Sequence, residues 1–433
     1  MTQSEPLVQD LMKFLDASSV NFLAVREICR RLNEAGFKHL SRAEHWNLEP
    51  GGKYYVTQND SAVMAFVAGE SPEAGYHIIS AHSDSPGFRI KPHAEMKCEN
   101  GVVKLNTEVY GGPILYTWFD RPLSIAGRVI VRSDNPLTPR HVIMRIDRPV
   151  LTIPHLAIHF NRAVNEGNPL SKQKDMLPVI AIVNNELEAD NMLLRLISEE
   201  TGVPMDQIID FDLSLYDTTP ACLLGLNNEF ITSGRIDDLS MVHAALSALI
   251  ATSHIPAKAT RVMAIFDNEE TGSGTKQGAA SPLLKDTLMR INRCLGGDEE
   301  SYLIGVANSF MVSADNAHAL HPNYSEKQDP TNHPGLGKGP VIKINANCKY
   351  MSDADSAAVF AEICRKANVP VQYFVNHSDV AGGSTLGNIL TSQIDLRGVD
   401  MGAAIWAMHS VRETASVADH SLITDAFSRF FSL

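Results

Sequence analysis

Five short segments of this 433-residue chain place carboxylates and imidazoles where a strand should end or a helix begin. They are AHSD, with His82 and Asp84; RIDD, with Asp237 and Asp238; DNEETGSG, with Glu269 and Glu270; SAD, closing on Asp315; and AMHS, with His409. Together they offer nitrogen and oxygen ligands without a thiolate. That donor set suits zinc in a hydrolytic site, where coordination is left open for water or substrate. Carboxylates can also bridge two metals, and a metal pair can clamp both the attacking and the leaving atom of a displacement.

Glu269-Glu270 is the most informative of these pairs. At a strand-to-loop turn both side chains can face one cavity. Without a cation they would repel by about 4 kcal/mol at about 4 Å, for an effective dielectric of about 20. A dication removes that cost, and one glutamate can then ligate while the other stays free to shuttle a proton. The HxD spacing has its own logic. A ligating histidine usually gives its second ring N–H to a carboxylate that fixes its tautomer, and Asp84 is two residues beyond His82. Taken singly, each acidic pair also reads as a helix cap or a solvated turn, and His409 alone reads as an ordinary core or surface histidine. The joint occurrence, each element following an apolar strand or opening a helix, carries the metal-hydrolase reading.

These groups need a scaffold. Apolar residues recur at helical spacing from Leu7 to Ala35, and Tyr54–Gly69 reads as two strands turning at Asn59-Asp60. Gly75–Ala81 is a short apolar strand running straight into His82, the place where α/β proteins put their sites. From about His93 to Ile231 the texture changes to strand-like segments (Val102–Val109, Leu123–Arg132, His141–Ile146) between Gly, Pro and Asn turns, with a helical pattern at Leu187–Glu200. After Ser233 the α/β texture returns, with helices at Asp238–Ser253 and Ser352–Ala367 and strands at Arg261–Phe266, Val341–Asn345 and Val371–Val375. The expected organisation is a discontinuous α/β domain, residues 1–92 and 233–433, interrupted by a β-rich domain at 93–232.

Composition sets outer bounds. Hydrophobic residues make up 44% and charged residues 20%, as in an ordinary globular protein. A formal net charge of −13, with no Lys/Arg block, argues against nucleic acid as the partner. The N-terminus has no basic n-region or long apolar h-region, and no stretch is long enough to span a bilayer, so a cytoplasmic location is expected. The six cysteines are scattered without a CxxC pair and are expected to be reduced and structural. GGSTLGN (382–388) and GSGTKQG (272–278) lack GxSxG, and GLGKGP (335–340) lacks the pattern of a phosphate loop, so these glycines read as turns.

At the same residues the sequence resembles the aspartyl aminopeptidase family of zinc metallopeptidases, as a bacterial member would. The matching stretches are AHSDSPGFRIKP (81–92), IPHLAIHFNR (153–162), GRIDDLSM around Asp237, FDNEETGSGTKQGA (266–279), SADNAHALHPNY (313–324), KGPVIKIN (338–345) and WAMHSVRE (406–413). They run in one order over most of the chain. The resemblance implies an α/β/α sandwich zinc-peptidase domain with an inserted β-rich dimerisation domain, two Zn2+ per subunit, and a homo-oligomer, a dodecamer built from dimers. It implies His82, Asp237, Glu270, Asp315 and His409 as zinc ligands, with Asp237 as the bridge, Glu269 as general acid/base and Asp84 as the residue that orients His82. His159 is similar to a family histidine that reaches from the insertion into a neighbouring subunit's active site; on spacing alone, His155 and His159 read as two structural imidazoles on one helical face. The role of Asp238 stays open.

The expected activity is therefore release of N-terminal residues, Asp or Glu by the family's preference, from peptides with a free N-terminus. Because the net charge would repel acidic peptides at long range, a local cation must compensate. Lys343 is the candidate for pairing with the substrate carboxylate, with His318 and Tyr350 nearby; the competing reading of Lys343 is an edge-strand charge. The alternatives are an aminopeptidase of the same fold preferring neutral, Leu-type residues, a two-zinc carboxypeptidase or deacylase, and a non-catalytic assembly protein that kept the fold.

Overall fold

In the computed structural model, which describes residues 4–183 and 191–433, successive residues of the buried strands face two different cores. Val63, Ala65, Val67, Ile79, Ala81, Met263 and Ile265 enter one core; Ala62, Met64, Phe66, Tyr76, Ile78, Val262 and Ala264 enter the other. This period of two, with both faces apolar, is what a sheet covered by helices on each side requires. The first core is closed by the helices Ser4–Ala17, Asn21–Glu34, Ile236–Thr252, Ala354–Lys366 and Val417–Phe431, the second by Leu283–Cys294, Glu299–Ala307 and Leu386–Leu390. The chain has the α/β class expected from its sequence.

Contacts divide the chain into two units, 1–84, 221–408 and 413–433 forming the first and 85–220 with 409–412 the second. In the first unit, nine strands among the described residues form one sheet in the order Lys38–His39, Lys53–Gln58, Ala62–Val67, Thr260–Phe266, Tyr76–His82, Phe310–Ala314, Gly398–Gly402, Val341–Ile344 and Gln372–Val375. The hairpin expected at Asn59-Asp60 is present: Gln58 pairs with Ala62, and both turn residues take the left-handed conformation that Asn and Asp tolerate. A smaller five-stranded sheet in the same unit joins Cys222–Leu224, Phe230–Ser233, Glu413–Ser416, Ala404–Trp406 and Ala317–His318. The second unit is a six-stranded antiparallel sheet in the order Arg140–Arg145, Leu123–Val131, Ile208–Asp217, Gly87–Lys97, Val102–Tyr110 and Val179–Ile182, packed around Phe88, Trp118, Ile125 and Val129. A helix of this unit spans Met192–Thr201; the first residues of the helical pattern read at 187–200 lie outside the described residues. No helix among the described residues is long and apolar enough to cross a membrane.

The single helical stretch read from Leu7 to Ala35 is two helices. The first ends at Ala17, and Val20 is extended before the second. Periodicity missed the break because both helices bury the same kind of stripe in the same core, Leu11, Phe14 and Leu15 from one and Ala24, Val25, Ile28 and Leu32 from the other. The IPHLAIHFNR stretch departs from expectation too. It is irregular chain ending in a turn, so His155 and His159 do not share a helical face. Instead His155 stacks on Phe119 with centroids 4.3 Å apart, its N–H donates to Asp120, and His159 is exposed.

The helices over the first core are joined by a polar chain that runs from the half-exposed Asp10 to the buried His243 and His420. Arg31 donates to Asp10 Oδ2 at 2.6 Å, His243 Nε2 meets the same oxygen at 2.9 Å, and His243 Nδ1 lies 2.9 Å from His420 Nε2. Burial pushes both imidazoles below their ordinary range. The Arg31 charge adds to this at His243 against the pull of Asp10, and His243 adds to it at His420. A histidine with a depressed folded-state pKa contributes stability that is full above its ordinary value, about 6.5, and is lost as pH falls below it. Thermal unfolding should therefore show a Tm that drops between pH 7.5 and 5, and His420→Gln should flatten that drop by on the order of a few °C; an unchanged slope in the variant would place the acid sensitivity elsewhere.

Candidate active site

Three adjacent strands of the large sheet run parallel: Thr260–Phe266, Tyr76–His82 and Phe310–Ala314. Their carboxyl ends therefore open on one edge, and each delivers an acidic or imidazole residue there. His82 is the last residue of its strand and pairs in register with Phe266. Glu269 and Glu270 follow in the tight turn Glu269–Thr271, and Asp315 comes directly after Ala314. Asp237 and Asp238 open the helix Ile236–Thr252, with a cis peptide bond between them. The Asp237 N–H donates to Glu413 Oε2 at 3.0 Å. Sequence reading gave Glu413 no role, because a single glutamate in a strand carries no local signal.

The side chains converge. One ligand atom from each of His82, Asp237, Asp238 and Asp315 falls within a span of 4.8 Å, and the same holds for His82, Glu269 and Glu270. His82 Nε2 lies 3.6 Å from Asp237 Oδ1 and 4.0 Å from Asp238 Oδ2. On the other side of the ring, His82 Nδ1 is 3.0 Å from the Asp84 carbonyl oxygen and 3.4 Å from its Oδ1. The Asp84 carboxylate also accepts the N–H groups of Glu269 and Glu270, at 3.1 and 3.2 Å. One buried side chain thus stands behind the imidazole and fixes the turn that carries both glutamates.

Asp238, whose role the sequence left open, is fully buried. Its Oδ2 accepts the His82 N–H at 3.1 Å, while its Oδ1 has no hydrogen-bond partner among the described residues. Burial pushes its carboxyl well above the usual range, and Asp315 and Asp237 add to this against the opposing pull of His82. Glu269 is raised to about 7 by burial and by the charges of Asp315, Asp84 and Asp237, again against His82. Burial alone would depress the His82 imidazole, but Asp238, Asp237 and Asp84 outweigh it and raise it well above its ordinary value. Asp267, at the end of the neighbouring strand, is pushed up to about 6 by burial and by Asp84, although the Asn21 amide lies 3.0 Å from each of its oxygens. A cluster of this many carboxylates, with an imidazole among them, fits a divalent cation of the zinc type.

Lys343 is not an edge charge. Its strand lies between Gly398–Gly402 and Gln372–Val375, the residue is 4% exposed, and its Nζ is 3.3 Å from Asp315 Oδ2 and 5.7 Å from the Tyr350 ring centre. Burial opposes the charge, yet Asp315, Tyr350 and Asp400 hold the ammonium pKa at about 12. Tyr350 is buried against Val341 and Phe374, and the exposed His318 ring meets Phe374 edge-on at 5.9 Å. His159 and His409 belong to the second unit, where His409 has a left-handed backbone (φ 68°) and its Nδ1 lies 3.1 Å from the Gly112 carbonyl oxygen.

The family model of the aminopeptidase I zinc metalloproteases (M18) matches residues 14–431. The chain belongs to the M18 family. A probable M18 family aminopeptidase 2 of Clostridium novyi is 50% identical over 426 residues, covering 98% of each chain. Among solved structures, a chain of the Ape4–Nbr1 complex superposes with a TM-score of 0.95 at 35% identity, covering 99% of this chain and 86% of that one. The mApe1 dodecamer of S. cerevisiae superposes at 0.87 with 26% identity, covering 99% and 97%. Membership makes this chain a zinc aminopeptidase, and the cluster around His82 is a group of donors that could hold a metal ion.

In such a centre a carboxylate behind a ligating histidine is worth roughly 10- to 100-fold in metal affinity. Asp84→Ala should weaken zinc binding by about that factor, measured by competition with a chromophoric chelator, and should do so without loss of the folded state by circular dichroism. Wild-type affinity in a folded variant would remove Asp84 from the support of the site.

Proposed function

We propose that this M18 protein is a cytoplasmic two-zinc aminopeptidase that releases N-terminal Asp or Glu from peptides. The observation that supports this most is a glutamate, Glu269, held beside the carboxylate–imidazole cluster with its carboxyl pushed up to about 7. His82, Asp237, Glu270 and Asp315 would hold the two ions, with Asp237 shared between them, and His409 is carried as the fifth ligand on the family resemblance. Bound zinc supplies Lewis-acid polarisation of the scissile carbonyl and makes a water acidic enough to attack near neutral pH.

The remaining work falls to the chain. Glu269 accepts the proton of the attacking water, keeps it in a buried site where the protonated carboxyl is stable, and returns it to the leaving amine. Asp84 keeps the peptide groups of Glu269 and Glu270 fixed while this happens. The free α-amine of the substrate lies on the acidic wall, which restricts cleavage to the first peptide bond. Lys343, a buried cation beside Asp315, pairs with the side-chain carboxylate of the first residue, with Tyr350 and His318 completing that pocket.

Assembly follows the same reading. Leu156, Ile158 and Phe160, on either side of His159, are exposed large apolar side chains in the second unit, a pattern that marks a contact surface. They fit a homo-oligomer in which His159 reaches a neighbouring subunit, and the dodecameric relative mApe1 gives the proposed size.

Two substitutions test the chemistry. Glu269→Gln should keep its zinc and lose about 10²- to 10⁴-fold in kcat; near-wild-type turnover with metal intact would exclude it as the proton carrier. Lys343→Met should lower the ratio of kcat/KM for Asp over Leu p-nitroanilide by roughly tenfold or more, the worth of a hydrogen bond to a charged group. A wild-type enzyme that prefers the Leu substrate would replace the acidic assignment with the neutral one, and cleavage of N-blocked peptides would point instead to a carboxypeptidase or deacylase.

A further inference from the structure

Asp400 lies in the strand Gly398–Gly402 with 0% exposure, and neither the metal cluster nor the proton path uses it. A buried carboxylate is stable only when donors meet it. Here Thr385 Oγ1 donates to Oδ1 at 2.7 Å and the Met351 N–H donates to Oδ2 at 2.6 Å. The Asp400 N–H donates in turn to Ser352 Oγ at 2.8 Å. Gly387 rests against the same carboxylate so closely that a Cβ there would stand 2.7 Å from both oxygens. One side chain therefore gathers three stretches: its own strand, the bend Tyr350–Ser352, and the GGSTLGN loop, whose glycines read only as turns in the sequence.

The same carboxylate faces the specificity cation. The strand Val341–Ile344 runs antiparallel to Gly398–Gly402 with Ile342 opposite Met401, which brings the next residue, Lys343, alongside Asp400. The Lys343 ammonium is drawn by Asp400 as well as by Asp315 and lies over Tyr350, whose turn is the one Asp400 fixes through Met351.

We propose that Asp400, clamped by Thr385 and Met351, is a positioning residue for substrate selection: it holds the Lys343 ammonium and the Tyr350 turn where the acidic side chain of the first substrate residue is read. This rests on the assignment of Lys343 as the partner of that side chain. The GGSTLGN loop gains a purpose from it, since Thr385 supplies the hydroxyl and Gly387 the space that the clamp requires.

Thr385→Val keeps the shape and removes the donor, Thr385→Ser restores it, and Asp400→Asn removes the charge with little change in volume. For each variant of the full-length zinc-loaded enzyme, kcat and KM would be measured for Asp, Glu and Leu p-nitroanilides, together with zinc content and Tm. The expected result is a KM for the acidic substrates raised about tenfold in Thr385→Val and Asp400→Asn, with the Leu substrate shifted much less, zinc content retained, and near-wild-type values in Thr385→Ser. In a Lys343→Met background, Thr385→Val should have no further effect on selectivity. Equal losses on Asp and Leu substrates accompanied by a lower Tm would make Asp400 a fold anchor only and overturn the proposal, as would no change at all. If Lys343→Met abolishes acidic preference while Thr385→Val and Asp400→Asn leave it intact, this proposal alone falls; if Lys343→Met leaves preference intact, the assignment of Lys343 falls and this proposal with it.

Discussion

The constraint on which the first unit is built is an excess of buried negative charge at one edge of its sheet. Asp84, Asp237, Asp238, Asp267, Glu269, Glu270 and Asp315 share that edge with His82 and Lys343. Two unit charges about 4 Å apart cost about 4 kcal/mol at an effective dielectric of about 20, so the set cannot be fully ionised without further cations. Burial and neighbouring carboxylates raise Glu269 to about 7 and Asp267 to about 6, and push Asp238 well above its ordinary range against the pull of His82. The protein answers in part with donors from the backbone, as in the two N–H groups that meet Asp84. A divalent ion is the remaining answer, since an opposite charge favours the ionised form of the carboxylates around it.

Such a cluster needs a scaffold that does not relax away from it. The three strands that end at the cluster are central in a nine-stranded sheet, each paired on both sides, and their residues alternate between two apolar cores. Moving one strand by a residue would exchange its two faces and withdraw its acidic terminus together. The register Phe266 with His82 and Ser313 with Ser80 is therefore both a packing constraint and a constraint on the site.

Much of this was legible in the sequence because it is written locally. A β-branched or apolar run followed at once by His82, by Asp267–Glu270 or by Asp315 states strand, end and a chemically reactive group in a few residues, and Asn59-Asp60 states its own turn. What was not legible depends on partners distant in the chain. Asp238 reaches the His82 N–H across 156 residues, Glu413 reaches Asp237 across 176, and His243 finds His420 across 177. The break at Ser18-Ser19 was hidden because helices on both sides feed one core, and the HxxxH spacing of His155 and His159 imitated a helix where the chain is irregular. Lys343 failed as an edge lysine for the same reason, since strand order is a property of the assembled sheet.

The contact between Lys343 and Asp315 joins two functions that are usually treated apart. At 3.3 Å the ammonium touches a carboxylate of the acidic cluster, and the charge of Asp400 on the adjacent strand acts on the same ammonium at longer range. Whatever neutralises Asp315 therefore changes how much of the Lys343 charge is left for an incoming carboxylate, and whatever pairs with Lys343 changes the charge Asp315 presents to a cation. On the proposed assignments, binding of an acidic first residue and binding of zinc would be coupled through two side chains, and by linkage each would alter the affinity for the other by the same factor. A neutral first residue would leave Lys343 to Asp315 and make no such exchange. On that reading selectivity would be a property of the whole charge set around Asp315, and the clamp on Asp400 would bear on it through Lys343.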